Sequence, residues 1–346
     1  MAGSNREAYK SIWEEGEKTG KLQLPTEQIR DLLGEEFPPE VWVVDQLIPD
    51  EGVAILSGSP GSFKTWLYME IAVKVAEGRL VFGHFNTKQT GVLVVDEESG
   101  RRRLQKRFRQ LGANDDTPIH YMSRIGYKMN QLYADGIVQK AQELEVGLII
   151  FDSFTRFIGE KADENASGDM AELMDYYRQL ADAGFSVLIL HHNRKEAGGQ
   201  FNNPAQSLRG SSDILASVDC HIAVSRVGQS EFVKLVQTKN RDVWEPVPFE
   251  LRFQENASEF EYVGAAKSSA ERHREFLDKV IETVITYPGL TKTQLTKQAK
   301  AQGIAAGLKK IGDFIDELVL NGELDMQEAD RNGQKYYPIA SAAKTQ

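Results

Sequence analysis

The sequence predicts an α/β protein with a mostly parallel sheet flanked by helices, followed by a small C-terminal winged helix-turn-helix domain. Short runs of aliphatic and β-branched residues, apolar throughout, alternate with stretches of helical periodicity. Strands of this kind, joined by helices, are typical of parallel sheets covered on both faces. Beyond residue 270, three amphipathic stretches and a strand–turn–strand pattern predict the small domain.

Four apolar runs predict the parallel strands, at residues 53–58, 91–98, 146–153 and 185–192. Helical patterns separate them, at residues 65–78, 102–112, 133–145 and 169–184. Three later runs alternate between apolar and polar residues and predict an antiparallel extension, at residues 219–227, 231–240 and 249–254.

Domain boundaries follow from shifts in composition. Residues 1–40 are polar and charged and predict a helical, partly flexible segment, with one short helix stopped by Pro38 and Pro39. Residues 41–262 form the predicted α/β domain, residues 263–270 a linker, and residues 271–340 the winged-helix-like domain.

Composition excludes several classes of protein. With 41% apolar and 27% charged residues, the chain has the composition of a globular protein, and no apolar run approaches the ~18 residues of a membrane span. A single cysteine, Cys220, excludes an intramolecular disulfide framework and predicts a cytoplasmic protein. No Cys/His cluster has the spacing of a zinc site. The net charge of −10 argues against a protein that coats DNA with its whole surface, although local basic loops remain compatible with it.

The stretch GSPGSFKT predicts a phosphate-binding loop between a strand and a helix. In that setting, backbone N–H groups and the positive end of the helix point at a phosphate. Lys64 would reach the β and γ phosphates, and the Thr65 hydroxyl would ligate Mg²⁺. Phe63 stands where the motif expects its second glycine, so an unrelated Gly-Ser-Pro turn is the alternative. The residues predicted to bind ATP are Gly58, Ser59, Pro60, Gly61, Ser62, Phe63, Lys64, Thr65 and Trp66.

Polar residues close three of the other apolar runs. Asp152 could hold the metal's water shell opposite Thr65. Glu97 or its neighbour Glu98 could orient or deprotonate the attacking water. His192 could sense the γ phosphate. Each of these residues alone has an ordinary structural interpretation, and their joint occurrence favours a nucleotide site.

These segments resemble the RecA-like P-loop ATPases, in particular the hexameric replicative helicases of the DnaB and plasmid RepA types. The resemblance spans about residues 41–242 and rests on GSPGSFKT, VLVVDEES, LIIFDS, LILHHNRK, LRGSSD and VQTKNRD, in that order. It implies a RecA-like core, ATP and Mg²⁺ as cofactors, and a homo-oligomer, a hexamer, with catalytic sites between subunits. No membrane partner is expected.

The resemblance also implies individual roles. Glu97 corresponds to the catalytic base, with Glu98 as the fallback, and Asp152 corresponds to the Walker B aspartate. His192 couples the γ phosphate to the DNA loops, and Lys239 and Arg241 reach into the neighbouring subunit's site. An arginine supplied in this way accelerates phosphoryl transfer by ~10³–10⁵. The chain departs from the pattern at Phe63 and at Asp242, which replaces a glycine that often follows the Lys-x-Arg pair.

A polar stretch of about twenty residues without periodicity follows His192, and such loops in compact domains are usually functional or disordered. Arg194, Lys195 and Arg209 are the predicted contacts to single-stranded DNA, with a loop of no function as the alternative. The predicted function is an ATP-hydrolysing DNA motor, a hexameric helicase or single-strand translocase in replication. The alternatives are a recombinase- or mediator-like DNA-dependent ATPase, and an ATP-controlled switch whose winged helix binds DNA or a protein.

Overall fold

The computed structural model describes residues 12, 15–22, 24, 26–36, 41–160, 162–193, 208, 212–227, 230–304, 306–329 and 333–339. The chain divides into two compact units. Residues 1–227 with 231–265 form the first, and residues 228–230 with 266–346 form the second.

The first unit holds the α/β part of the chain. Of the predicted N-terminal helix, the structure retains one short helix, none of whose residues is buried. Among the described residues, no helix is long and apolar enough to cross a bilayer. In chain order the elements are α1 (Ile29–Leu33), β1 (Trp42–Val44), β2 (Ile48–Pro49), β3 (Val53–Gly58), α2 (Lys64–Glu77), β4 (Gly91–Asp96), α3 (Arg101–Gln110), β5 (Ile119–Ser123), α4 (Gln131–Glu143), β6 (Val146–Asp152), α5 (Phe154–Phe157), α6 (Ser167–Asp182), β7 (Ser186–His192), α7 (Ser212–Ser217), β8 (Cys220–Arg226), β9 (Phe232–Asn240), β10 (Phe249–Gln254) and β11 (Glu259–Ala265).

A nine-stranded sheet in the order β11-β10-β9-β8-β3-β7-β6-β4-β5 organises this unit. The strands from β8 to β5 are parallel to their neighbours, whereas β9, β10 and β11 continue the sheet antiparallel. The predicted mostly parallel sheet is thereby confirmed. Three details differ: β8, assigned to the antiparallel extension, pairs parallel with β3, and neither β5 nor β11 was predicted as a strand.

Helices cover both faces of the sheet. Alternate residues of a strand point to opposite faces, so each strand contributes to two apolar clusters. Ala54 and Leu56 of β3 pack in one apolar cluster with residues of α2 and α3. Val53 and Ile55 of the same strand pack in a second cluster with residues of α4, α5 and α6. Every residue of β3 is buried, as expected for a central strand covered on both faces.

The parallel register gathers the ends of four strands at one edge of the sheet. Gly58 at the end of β3 pairs with His192 at the end of β7. Asp96 at the end of β4 pairs with Asp152 at the end of β6. Ligands of open α/β sheets bind outside the carboxyl ends of the strands, so this edge is the place to look for a site.

At the opposite edge, the carboxylate of Asp219 joins several elements. Its Oδ2 accepts hydrogen bonds from the backbone N–H of Val53 at 2.8 Å and from Arg178 Nη1 at 2.7 Å. Its Oδ1 accepts from Arg178 Nη2 at 3.0 Å and from Arg241 Nη1 at 3.1 Å. This one side chain therefore ties the start of β3 to α6 and to the segment that follows β9.

The second unit contains α8 (Ser269–Thr286), β12 (Leu290–Thr291), α9 (Lys292–Ala301), α10 (Leu308–Leu320), β13 (Leu324–Ala329) and β14 (Gly333–Pro338). Its strands form an antiparallel sheet in the order β12-β14-β13, beside a small apolar core of its own. Capping boxes at Ser268–Glu271 and Thr291–Gln294 begin α8 and α9. The assignment of this unit as a winged helix stays a prediction, and part of the predicted turn, residues 330–332, lies outside the described residues.

We expect Asp219→Ala to lower the free energy of unfolding by about 2–4 kcal/mol, because it leaves Arg178 and the Val53 N–H without their partner. Glu261→Ala is the matched control: its partner Arg252 is half exposed, so its loss should cost much less than that of Asp219. Urea unfolding followed by circular dichroism measures both values. Equal losses would contradict the role assigned to Asp219.

Candidate nucleotide site

Two glycines determine the backbone conformation of the loop between β3 and α2. Gly61 has φ = 79°, a conformation that glycine adopts without strain. A Cβ at Gly58 would lie 2.5 Å from Ser62 Oγ and 2.7 Å from the carbonyl oxygen of Val224. A side chain at position 58 would clash with Ser62 in the same loop and with β8, so this position requires glycine.

Phe63, at the position of the motif's second glycine, adopts a left-handed conformation with φ = 69° and ψ = 8°. A non-glycine residue in this region costs about 1–2 kcal/mol. The ring packs 5.1 Å from the Phe253 ring and 6.0 Å from the Phe260 ring, and the Arg226 guanidinium lies 4.9 Å over its face. Because such aromatic pairs contribute about 0.5–1.5 kcal/mol each, the antiparallel extension offsets the strain. The loop thus keeps its shape without the second glycine.

Lys64 lies under the loop with only 7% of its surface exposed. Its Nζ donates hydrogen bonds to the carbonyl oxygens of Gly58, at 2.6 Å, and Ser59, at 3.0 Å. Burial lowers the pKa of Lys64 to about 8, and the negative charges of Asp152 and Glu98 oppose that shift. Two carbonyl groups of the loop therefore hold the ammonium at the base of the loop.

Two carboxylates lie side by side at the ends of β4 and β6. Asp96 is fully buried and accepts hydrogen bonds from the Tyr68 hydroxyl at 3.0 Å and from the backbone N–H groups of Glu98 and Ser99 at 2.8 and 2.5 Å. Asp152 is 3% exposed, and its Oδ2 has no hydrogen-bond partner among the described residues. Burial, together with the charges of Asp96 and Glu98, raises the pKa of Asp152 well above its usual value.

The residues at this corner suit a magnesium ion. An unpartnered buried carboxylate oxygen calls for a cation or a water molecule, and Asp152 supplies one. Thr65, the predicted hydroxyl ligand, is half-buried in the first turn of α2. Mg²⁺ at such sites is held by one or two protein oxygens together with phosphates and water. The described residues contain no cluster of three or more His, Cys, Asp or Glu able to hold a metal alone.

The two neighbouring glutamates point to different places. Glu97 accepts hydrogen bonds from the backbone N–H groups of Ile125, at 2.8 Å, and Gly126, at 3.0 Å. Glu98 instead accepts from the Ser153 hydroxyl at 2.6 Å, and its Oε1 lies 3.1 Å from His192 Nε2. The hydrogen bonds from His192 and Ser153 lower the pKa of Glu98 to about 2. Glu98, the fallback of the sequence-based assignment, is the glutamate that the structure brings to the other site residues.

Arg107 and Ser153 belong to this corner although no signal in the sequence selects them. The Arg107 guanidinium lies 5.0 Å over the ring of Trp66, the last residue of the predicted ATP-binding set. Burial lowers the pKa of Arg107, and the negative charges of nearby Asp152 and Asp96 oppose that shift. An arginine in a helix rich in basic residues has no distinguishing signal, and a serine after a strand-end aspartate has little more.

Lys239 and Arg241 lie at the other edge of the sheet. Lys239 Nζ donates to the carbonyl oxygens of Leu215 and Ala216 at the end of α7, at 2.8 and 2.7 Å. Arg241 contacts Asp219, as described above. Lys239 pairs with His221 of β8, and Val224 of the same strand pairs with Gly58, so the two positions are roughly 10 Å apart at about 3.3 Å per residue. The pair is thus remote from the phosphate loop of its own chain.

The three predicted DNA contacts, Arg194, Lys195 and Arg209, lie outside the described residues. The structure therefore neither brings them to the site nor separates them from it. In this region the structure describes Asn193, directly after His192, and Leu208.

The fold and the loop define a P-loop ATPase with a RecA-like core. A family model described as an AAA domain matches residues 18–198, which is more than half of the chain, and the chain belongs to that family. A solved ATPase domain has a similar fold, with a TM-score of 0.51 at 13% identity, over 63% of this chain and 85% of that one. A DnaB-like replicative helicase, studied with its interactions with primase, matches with a TM-score of 0.48 at 13% identity, over 61% of this chain and 57% of that one. No curated protein matches the sequence.

We expect Phe63→Ala to be less stable than Phe63→Gly by about 1 kcal/mol, because both lose the ring contacts but only alanine keeps the cost of a positive φ. Gln139, exposed within α4, provides the control, since there the alanine variant should be the more stable one. Thermal unfolding of the four variants measures both differences. The same order at both positions would contradict the left-handed conformation of Phe63.

Proposed function

We propose that the protein is an ATP-hydrolysing, oligomeric DNA motor, a hexameric helicase or single-strand translocase that acts in replication. The observation that carries the proposal is the group formed by Lys64, Asp152, Glu98 and His192 at the carboxyl edge of the parallel sheet. Nucleotide binding alone needs the loop and its lysine. A buried metal-type carboxylate and a glutamate held by a histidine add the parts that hydrolysis requires.

Lys64 is proposed to exchange its two carbonyl acceptors for phosphate oxygens when ATP binds. A charge-assisted hydrogen bond to phosphate is stronger than one to a carbonyl, so the exchange favours the bound state. Mg²⁺, held by Thr65 and Asp152, would neutralise charge on the phosphates. The positive charge of Mg²⁺ would also favour the ionised form of Asp152. Metal and nucleotide should therefore bind together at this site.

Glu98 is proposed to orient the attacking water and to accept its proton. With a pKa of about 2, this carboxylate is ionised throughout the neutral range and can accept a hydrogen bond from water, and it becomes a stronger base when the hydrogen bonds from His192 and Ser153 lengthen. Ser153 and His192 fix its position. The sequence-based assignment of this role to Glu97 remains a prediction, and the contacts of the two side chains favour Glu98.

His192 is proposed to link the state of the γ phosphate to DNA binding. Its ring touches Glu98, and the chain continues from it directly into the segment that carries Arg194 and Lys195. A change in the contact between His192 and Glu98 on hydrolysis would therefore act on the start of that segment. In the proposal, Arg194, Lys195 and Arg209 hold the phosphates of single-stranded DNA.

Lys239 and Arg241 are proposed to act on the nucleotide of a neighbouring subunit. Their position at the edge opposite the loop supports a contribution in trans, since neither side chain spans the sheet to its own site. Catalytic sites between subunits, arranged head to tail, close into a ring when the rotation permits.

We expect Glu98→Gln to slow ATP turnover at least a hundredfold while leaving ATP binding intact, because the amide cannot accept the proton. Glu97→Gln makes the same change in charge one residue away and is expected to stay within a few-fold of wild type. Steady-state hydrolysis and the binding of a fluorescent ATP analogue measure the two effects. A hundredfold loss in Glu97→Gln, with little in Glu98→Gln, would return the role to Glu97.

A second experiment tests catalysis between subunits. Lys64→Ala and Arg241→Ala should each be nearly inactive alone, because an arginine in trans is worth ~10³–10⁵ in rate. Mixed in equal amounts, they should recover about a quarter of wild-type turnover, since that share of head-to-tail interfaces combines an intact lysine with an intact arginine. Mixing Lys64→Ala with Glu98→Gln is the control, because both lesions affect the same site and should not complement. If the first mixture showed no recovery, Arg241 would act on the nucleotide of its own subunit or would have no part in hydrolysis.

A further inference from the structure

The outer face of helix α3 concentrates positive charge in a protein whose net charge is −10. Six of its ten residues are Lys or Arg, and no acidic residue occurs between Glu98 and Asp115. Neither the nucleotide site nor the predicted DNA loops use this exposed face. Only Arg107, which turns toward Trp66, belongs to the corner described above.

The helix has two distinct faces. Leu104 and Leu111 are buried in the core on one side of the sheet, and Phe108 packs beside them. Arg102, Lys106 and Arg109 occupy the opposite face and are exposed. At 1.5 Å of rise per residue, these three cations form a row about 10 Å long.

The sequence places these charges where the helix itself disfavours them. Arg101, Arg102 and Arg103 stand in the first turn, against the positive end of the helix dipole, and the first turn contains no acidic residue. Arg102 and Lys106 are like charges one turn apart, which is also destabilising. In the part of the chain that the structure describes, no ion pair joins the exposed cations of α3 to a carboxylate. Residues that break local rules in this way are expected at functional sites.

A cavity and a groove that share lining residues extend from this row along the outer edge of the sheet. A cavity of about 400 Å³ lies between α3 and β5, lined by Arg101, Arg102, Arg109 and Tyr121, with Asp115 as the carboxylate of its described lining. A groove of about 1020 Å³ shares Arg101 and Tyr121 with it and continues to Tyr127, and no carboxylate lines its described wall.

The groove also presents exposed aromatic rings beside the cations. The Arg101 guanidinium lies 5.6 Å over the Tyr121 ring, and the side chains of Tyr121 and Tyr127 are 44% and 57% exposed. Since β5 is the last strand of the sheet on this side, its outer edge is not paired with another described strand.

We propose that this surface, formed by α3, β5 and residues 124–128, binds single-stranded nucleic acid. The phosphates contact Arg102, Lys106 and Arg109, and the bases stack on Tyr121 and Tyr127. Arginine forks suit phosphate oxygens, and exposed rings next to a basic row are the combination that holds single strands without reading their sequence. An acidic protein would satisfy the charges but would leave the tyrosines unexplained. This site uses none of Arg194, Lys195 and Arg209 and requires no ATP hydrolysis.

The test uses the full-length Arg102→Gln/Lys106→Gln/Arg109→Gln variant without nucleotide, titrated against a fluorescent oligothymidylate by anisotropy at several KCl concentrations. Affinity should fall at least tenfold. The slope of log K against log salt should become shallower by about 2, because each phosphate contact to a single strand contributes ~0.7. The matched control, Arg79→Gln/Lys88→Gln/Arg252→Gln, removes the same charge from ion-paired positions and should keep the wild-type slope. Equal changes in both variants, or none in the first, would overturn the proposal.

Further arms separate the nucleic acid from other polyanions. Tyr121→Ala/Tyr127→Ala should weaken single-strand binding about tenfold with no change in the salt slope, because stacking carries no ionic term. Competition by poly-L-glutamate as strong as that by the oligonucleotide would favour an acidic protein partner instead. Equal affinity for a duplex of the same length would overturn the assignment to single strands. The glutamine variant should melt no lower than wild type, since it relieves repulsion within α3.

Discussion

A buried ammonium and two buried carboxylates share the corner where the parallel strands end, and the remaining features of the site depend on how their charges balance. Lys64, Asp96 and Asp152 are each less than a tenth exposed. Burial drives the pKa of Asp152 upward and that of Lys64 downward, while their mutual attraction resists both shifts. Lys64 and Asp96 have hydrogen-bond partners within the chain, whereas Asp152 Oδ2 has none among the described residues. Such a corner is suited to a ligand that brings negative phosphates to the lysine and a cation to the aspartate.

The antiparallel extension explains how the phosphate loop departs from its motif at one position. Phe63 holds the left-handed backbone with its ring seated on Phe253 and Phe260, which belong to β10 and β11. In a motif with glycine at this position the backbone needs no such support. Here the conformation of the loop depends on strands nearly two hundred residues away in sequence, so the phosphate site and the sheet extension form one structural unit.

Much of the fold could be predicted because β3, β4, β6 and β7 are apolar throughout, which few structures other than a parallel sheet produce. β5 was not predicted because its sequence, IHYMS, is only half-buried and has no clear hydrophobic period. The pairing of β8 with β3 is a tertiary choice that its own sequence does not encode. The choice between Glu97 and Glu98 depends on side-chain direction in a turn, where neighbouring residues point apart and no periodicity applies.

One carboxylate, that of Asp219, contacts both Arg241 and the strand that leads into the phosphate loop. Asp219 holds Arg241 on one oxygen and the amide of Val53, the first residue of the strand that leads into the loop, on the other. An anion outside the chain that attracts Arg241 must compete with Asp219 for it. Release of the arginine alters the charge balance around the same carboxylate that anchors the root of β3. The amino end of β3, held by Asp219, and its carboxyl end, which leads into the phosphate loop, are thus the two ends of one fully buried six-residue strand.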